Sequence, residues 1–118
     1  MRAASILAEM AAPLIANLEK LLGTPRDGAL LRYSLGLEFL KTDNAAKAAE
    51  HLREAVTRDP GYSAAWRALG KALEGAARPG DALEAYRSGI AAAQKKGDKQ
   101  AEKEMTVFAR RLEKRAAG

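Results

Sequence analysis

Residues 66–73 read WRALGKAL, and residues 82–86 read ALEAY. The same order of large and small side chains occurs 34 residues earlier in the chain, beginning at Leu35-Gly36. A self-similarity of fixed period is typical of repeat proteins, in which each unit buries its apolar face against the next. The matched pairs at this spacing are Leu35 and Leu69, Gly36 and Gly70, Phe39 and Leu73, Ala48 and Ala82, and Leu52 and Tyr86.

The small residues of this pattern predict close helix crossings. Gly36 and Ala48 form one such pair, and Gly70 and Ala82 form the next. Small residues at matching places let two helices approach to roughly 8–10 Å, while large residues beside them fill the remaining space. The sequence therefore predicts stacked pairs of antiparallel helices.

The pattern resembles the tetratricopeptide repeat (TPR), in which Trp-x2-Leu-Gly-x2-Tyr is followed by Ala-x3-Phe and then Pro. Arg32 replaces the Trp of the first repeat, and Gln94 replaces the Pro of the second. The resemblance implies an all-α, TPR-like α-solenoid and a non-catalytic protein–protein interaction module. It extends to short stand-alone bacterial TPR proteins of unassigned function. The matching residues are Leu35, Gly36, Phe39, Ala48, Leu52, Ala55 and Pro60 in residues 29–62, and Trp66, Leu69, Gly70, Leu73, Ala82, Tyr86 and Gly89 in residues 63–96.

Composition sets the broad class of the protein. A chain of 118 residues predicts one domain with a real core. It contains no cysteine, which excludes a disulfide framework and fits a cytoplasmic protein. No apolar run approaches the roughly 20 residues of a membrane span, so we expect no membrane partner.

The net charge of +5 is concentrated at one end of the chain. Residues 95–118 hold eight Lys/Arg and four Asp/Glu, so they contribute 8 − 4 = +4 of that charge. The acids interleave with the bases, which is typical of a solvated helix face. A phosphate- or RNA-binding patch is the alternative, but no nucleic-acid-binding motif accompanies it.

The N-terminal part predicts a helix over residues 3–22. Leu7, Met10, Leu14, Leu18 and Leu21 are spaced as one apolar stripe on that helix. Pro13 is expected to start or kink it, because proline lacks a backbone N–H and crowds the preceding turn. Residues 13–22 match the second helix of a repeat at the 34-residue spacing, so we interpret residues 1–28 as a half repeat.

The remaining chain divides into repeat one (29–62), repeat two (63–96) and a C-terminal capping helix (97–118), about six helices in all. Breakers and cap residues predict helices over 29–41, 45–58, 63–75, 79–96 and 98–115. Asp43 or Asn44, Ser63 and Asp98 are the predicted N-caps, and Asp81 or Pro79 begins the fourth of these helices. The capping helix carries its apolar residues at Ala101, Met105, Phe108 and Leu112.

Catalytic chemistry has little support in this sequence. His51 is the single histidine and stands in a predicted helix without an evident partner. Asp43, Asp59, Asp81 and Asp98 all fall at helix ends, where a carboxylate accepts backbone N–H groups. We therefore expect no catalytic residue, no cofactor and no metal site.

The resemblance implies a binding surface instead. In the family, the first helix of each repeat lines a concave groove that holds peptides or helices. Apolar residues beside cations favour an amphipathic or acidic peptide. The residues carried over by position are Leu30, Tyr33, Leu37, Leu40 and Lys41 in repeat one, and Arg67, Lys71 and Glu74 in repeat two.

Two alternatives remain open at this point. The leucines of the predicted groove can pack against neighbouring helices, or the protein can be a homodimer whose groove or end faces are self-occupied. A chaperone-tail carboxylate clamp is not supported, because Tyr33 and Leu37 occupy the places of its Lys and Asn.

Overall fold

The computed structural model describes residues 3–118, and six helices follow one another in this part of the chain. Each helix packs against the next, and α2–α4 and α4–α6 also contact each other. The molecule measures 40 × 38 × 20 Å, so its short dimension equals two layers of helices. The predicted all-helical solenoid is confirmed. The helices are α1 (Ala3–Glu19), α2 (Ala29–Lys41), α3 (Ala45–Arg58), α4 (Ser63–Gly75), α5 (Pro79–Lys96) and α6 (Lys99–Ala117).

The helix crossings lie at the predicted small residues. A Cβ atom added to Gly36 would overlap the side chain of Leu52, and one added to Gly70 would lie 2.5 Å from Cδ1 of Tyr86. Gly89 makes a third crossing, between α5 and α6, since an added Cβ would overlap the side chain of Met105. These glycines bring the helix backbones together and leave room for the large side chains opposite.

Two predicted helix caps are confirmed and one is wrong. The side chain of Asn44 accepts a hydrogen bond from the Lys47 amide at 3.2 Å, and that of Asp98 accepts one from the Ala101 amide at 3.1 Å. Ser63 is not a cap but the first residue of α4, because Tyr62 holds the cap position. Pro79 occupies the first turn of α5, where its missing N–H costs no helical hydrogen bond.

Helix α1 differs from the expectation. It runs through Pro13 in one piece and ends at Glu19. The predicted stripe is wrong at Met10 and Leu14, whose side chains are 72% and 46% exposed, while the side chain of Leu7 lies outside the described residues. The physical reason is that α1 packs against α2 alone among the described helices, which leaves this side uncovered. The residues of α1 and its following turn that pack against the core are instead Ile15, Leu18, Leu21 and Leu22.

Arg32 stands where the repeat pattern has Trp, and its contacts with the turn between α1 and α2 explain this difference. Its guanidinium donates two hydrogen bonds to the Asp27 carboxylate, from Nε at 2.8 Å and from Nη2 at 3.0 Å. The Gly23 amide donates a third bond to the same carboxylate at 2.9 Å. These bonds from Arg32 and Gly23 hold the pKa of Asp27 well below its usual range. Arg32 therefore stabilises the turn between α1 and α2.

His51 lies half-buried against the repeat-one core. Its ring stacks parallel to that of Phe39 with centroids 5.6 Å apart, and its buried Nδ1 has no hydrogen-bond partner among the described residues. Burial lowers the pKa of His51 below its usual 6.5, and the positive charge of Arg32 adds to this effect. The folded protein therefore holds a neutral imidazole.

A pH dependence of stability follows from this site. The unfolded chain binds a proton at His51 more readily than the folded chain does, so the free energy of unfolding should fall as pH drops below 6.5. Urea titrations across this range should show the fall, and His51→Leu should reduce it. An unchanged pH slope in that variant would contradict the assignment to His51. Asp27 does not interfere, because its contribution is lost only below its unfolded pKa of 3.8.

Candidate peptide-binding groove

The face of α2 that points away from α3 carries the apolar half of the predicted groove. Leu30 is 69% exposed at the beginning of the helix, whereas Tyr33, Leu37 and Leu40 are half-buried and also pack against the core. Lys41 pairs with Glu38 at 2.9 Å at the other end of the helix. The open surface at α2 is therefore apolar, although Leu37 and Leu40 are each partly buried against the core.

Tyr62 extends this apolar surface, and the sequence reasoning missed it. Its ring lies beside that of Tyr33 with centroids 4.9 Å apart and planes inclined by 44°. Burial raises the pKa of Tyr62, so its phenol is neutral at physiological pH. The repeat pattern does not predict Tyr62, because this residue stands in the turn before α4 and outside the positions that the pattern assigns to the groove.

The predicted groove residues of α4 all meet the C-terminal helix. Arg67 pairs with Glu104 of α6 at 3.0 Å. The Glu74 carboxylate accepts a hydrogen bond from the buried Tyr86 hydroxyl at 2.5 Å and pairs with Arg115 at 3.3 Å. Glu74 is thus engaged within the chain on both oxygens and serves the packing of α4, α5 and α6.

Lys71 belongs to a different arrangement, which we call the Phe108 cation cluster (Lys71, Phe108 and Arg111). Lys71 Nζ lies 3.8 Å from the centroid of the Phe108 ring, and Arg111 Cζ lies 5.8 Å from it. Neither cation pairs with a carboxylate of the described residues. The cluster therefore carries two positive charges against an aromatic face.

Phe108 and Arg111 were not among the predicted groove residues. The sequence predicts α6 as a capping helix, with Phe108 on its apolar face and Arg111 on its charged face. In the structure α6 lies beside α4 as α4 lies beside α2, in the place of the first helix of a further repeat. Arg111 is the thirteenth residue of α6, as the predicted groove residue Lys41 is of α2, so this position could have assigned Arg111 to the groove. Phe108 has no such counterpart among the predicted groove residues.

Residues 3–118 contain no group of three or more His, Cys, Asp or Glu side chains placed to hold a metal ion. In that part of the chain, no helix combines the length and the apolar composition that crossing a membrane requires.

Comparison with known proteins identifies the repeat. The chain is 50% identical over 101 residues to a TPR repeat-containing protein of Pseudomonas aeruginosa, which covers 86% of this chain and 96% of the relative. No family model matches the chain.

Solved structures of other proteins also superpose on this chain. A protein from Bordetella parapertussis superposes with a TM-score of 0.74 at 43% identity, over 87% of this chain and 90% of that one. The Sgt2 TPR domain from Aspergillus fumigatus superposes with a TM-score of 0.76 at 25% identity, over 98% of this chain and 76% of that one. A tetratricopeptide repeat domain protein from Salinibacter ruber is 33% identical with a TM-score of 0.68, over 74% of this chain and 88% of that one. The 34-residue spacing, the glycine crossings and these relatives together place the chain in the tetratricopeptide repeat family, whose members are non-catalytic modules that generally mediate protein interactions.

Proposed function

We propose that the open face of α2, α4 and α6 binds a short peptide that carries an apolar residue at one end and an acidic residue at the other. The observation that carries the proposal is the Phe108 cation cluster, which joins α4 and α6 beside the apolar surface of α2. The function proposed is recognition without catalysis or cofactor, by a protein that acts in the cytoplasm.

The apolar end of the peptide is proposed to lie on α2. Leu30 is exposed at the beginning of α2. Leu37 and the Tyr33–Tyr62 pair lie on the same side of this helix. Exposed apolar side chains in a groove lose contact with water when a ligand covers them, and this stabilises the complex. An aliphatic or aromatic side chain is the ligand group that suits this surface.

The acidic end is proposed to lie on the Phe108 cation cluster. Three cations beside the cluster or along the same helices already pair with carboxylates, namely Lys41 with Glu38, Arg67 with Glu104 and Arg115 with Glu74. Lys71 and Arg111 remain for a ligand, so an Asp or Glu side chain or a free carboxylate finds two donors there. Such charges raise the rate of association and select against basic peptides.

The distance between the two ends sets the length of the peptide. Neighbouring packed helices lie roughly 8–10 Å apart, so α2 and α6 are separated by about 20 Å across α4. An extended chain rises about 3.3 Å per residue, and about six residues therefore span the face. A helical ligand of the same span needs about 13 residues, at about 1.5 Å per residue.

Selection from a phage-displayed library of random peptides tests this proposal. Immobilised wild-type protein should enrich peptides with an apolar residue and an acidic residue separated by this span. Lys71→Glu/Arg111→Glu should weaken the enriched peptides by at least about tenfold, because both cations are reversed. Leu30→Asp should weaken them as well, and an Asp in the first turn of α2 favours the helix.

The matched control is Arg53→Glu/Lys95→Glu, which makes the same change of charge on the second helices α3 and α5. Both residues are exposed, and neither forms a salt bridge among the described residues. This control should bind the peptides within about twofold of wild type, and circular dichroism should show all variants folded. Equal loss in control and cluster variants would contradict the proposal, as would enrichment of basic peptides.

A further inference from the structure

Helix α6 turns its acids toward its neighbours and most of its cations toward solvent. Each of its three carboxylates accepts a hydrogen bond from a side chain of α4 or α5. These contacts are Gln94–Glu102 at 3.0 Å, Arg67–Glu104 at 3.0 Å and Arg87–Glu113 at 2.8 Å. Of its six Lys and Arg residues, only Arg115 pairs with a carboxylate of the described chain. The outward side of α6 is therefore left with positive charge that the fold does not neutralise.

Four of these cations and one valine form a single row, which we call the α6 stripe. Its members are Lys99, Lys103, Val107, Arg110 and Lys114, and all of them are exposed. At about 100° per residue, they fall within an arc of about 80° around the helix. The buried residues of α6 lie on its opposite side. The stripe is thus the side of α6 that lies farthest from the core.

The charges of the stripe do not stabilise α6. Lys99 and Lys103 are four residues apart, as are Arg110 and Lys114, and like charges at this spacing destabilise a helix. The carboxylates of α6 that could offset this repulsion contact α4 and α5 instead. An acidic ligand on this side would offset the repulsion within each pair.

Val107 indicates that the acidic ligand is a segment of a protein. Its side chain is 51% exposed in the middle of the stripe, with Lys103 four residues before it and Arg110 three residues after it. Proteins bind single-stranded nucleic acids largely by stacking the bases on aromatic rings, and the stripe contains none. An apolar side chain flanked by carboxylates matches both the valine and its cationic neighbours.

The spacing of the stripe favours a helix that lies along α6. The residues from Lys99 to Lys114 rise by about 22 Å along the axis, at about 1.5 Å per residue. A second helix has the same rise and the same number of residues per turn, so acids at the spacing of these cations all face the stripe together. Amphipathic helices are commonly recognised through side chains three and four residues apart.

We propose that the α6 stripe docks an acidic amphipathic helix of a partner protein, with an apolar residue of that helix on Val107. Lys103 and Val107 are the fifth and ninth residues of α6, as Arg67 and Lys71 are of α4. The stripe therefore adjoins the groove proposed above, but it contains no residue of the Phe108 cation cluster. The inference does not depend on the peptide proposed for that groove.

A designed helical peptide tests this proposal. The probe is a fluorescently labelled peptide of about 20 residues, with glutamates at the spacing of the four cations and a leucine at that of Val107, in a background of alanine and glutamine. Its fluorescence anisotropy should show binding to the wild-type protein, and a scrambled peptide of the same composition should bind at least about tenfold more weakly. Equal binding of the scrambled peptide, or no binding of the probe, would overturn the proposal.

Reversal of two stripe cations should release the probe. Lys103→Glu/Arg110→Glu should weaken its binding by at least about tenfold. Each new glutamate lies four residues from a remaining lysine of the stripe, and opposite charges at this spacing favour the helix, so the variant should stay folded. Arg53→Glu/Lys95→Glu makes the same change of charge on other helices and should bind the probe within about twofold of wild type. Equal loss in the two variants would show that net charge alone holds the probe, and this would overturn the proposal.

A charge-swapped probe tests the pairing itself. With lysines in place of the glutamates opposite residues 103 and 110, it should bind Lys103→Glu/Arg110→Glu more tightly than it binds wild type. Leu30→Asp, which changes the proposed groove, should bind the original probe within about twofold of wild type, so that groove and stripe can fail separately. No gain with the swapped probe, or loss of the original probe in Leu30→Asp, would overturn the proposal. Tighter binding of a single-stranded DNA of about 20 nucleotides at the same salt concentration would overturn it in favour of a polyanion site.

Discussion

Gly70→Leu should lower the free energy of unfolding by about 3 kcal/mol or more, because the α4–α5 crossing has no room for a side chain. A Cβ at residue 70 alone would lie 2.5 Å from Cδ1 of the Tyr86 ring, and Tyr86 is fully buried. Replacing glycine within a helix gains about 1 kcal/mol of helix propensity, which is too little to offset this overlap. Urea denaturation followed by circular dichroism measures the difference.

Gly80→Leu is the matched control for that experiment. Gly80 lies in the first turn of α5, and a Cβ there would meet nothing within 4 Å. The same chemical change should leave the stability of this variant equal to or slightly above that of wild type. A Gly70→Leu protein as stable as Gly80→Leu would show that the helices do not cross at residue 70.

Tyr86→Ala should lower the free energy of unfolding by a similar amount. Here the cause is a cavity, whereas in Gly70→Leu it is overpacking. Tyr86 is the largest fully buried side chain in the described chain and packs against Phe108 with centroids 5.4 Å apart. Its removal leaves a cavity among α4, α5 and α6, and large-to-small changes of aromatic residues cost about 3–5 kcal/mol. The same urea denaturation measures it.

Two further variants separate the causes of that loss. Tyr86→Phe keeps the ring and removes only the hydrogen bond to Glu74, so it should cost about 1–3 kcal/mol. The double variant Gly70→Leu/Tyr86→Ala should be less destabilised than the sum of its parts, because the new leucine enters the space of the lost ring. Strict additivity would contradict direct contact between the two positions.

The 34-residue periodicity of the sequence predicted most of the fold. The helices at residues 29–41 and 45–58 have the predicted bounds, because a repeat fixes each helix by its counterpart 34 residues away. Caps at Asn44 and Asp98 followed from local side-chain chemistry. Helix α1 has no counterpart of a first helix among the described residues, so its apolar spacing could not reveal which of its sides packs against the core.

The candidate site was harder to predict than the fold. Repeat positions pointed to Tyr33, Leu37, Arg67 and Lys71, but the state of each side chain depends on α6, which departs from the repeat pattern. Arg67 is paired with Glu104, whereas Lys71 lies over Phe108. Sequence spacing predicts the face of a helix on which a side chain lies. Which charges pair across two helices depends on how those helices pack, and the sequence does not show this.

Chemical-shift mapping by NMR tests the proposed groove most directly. The probe is the peptide that wild-type protein enriches most strongly from the random library, titrated into isotope-labelled protein. The account predicts the largest shifts on one face, at Leu30, Tyr33, Leu37, Lys71, Phe108 and Arg111, with the outer residues of α3 and α5 unchanged. Shifts centred on the convex face formed by α3 and α5 would contradict it.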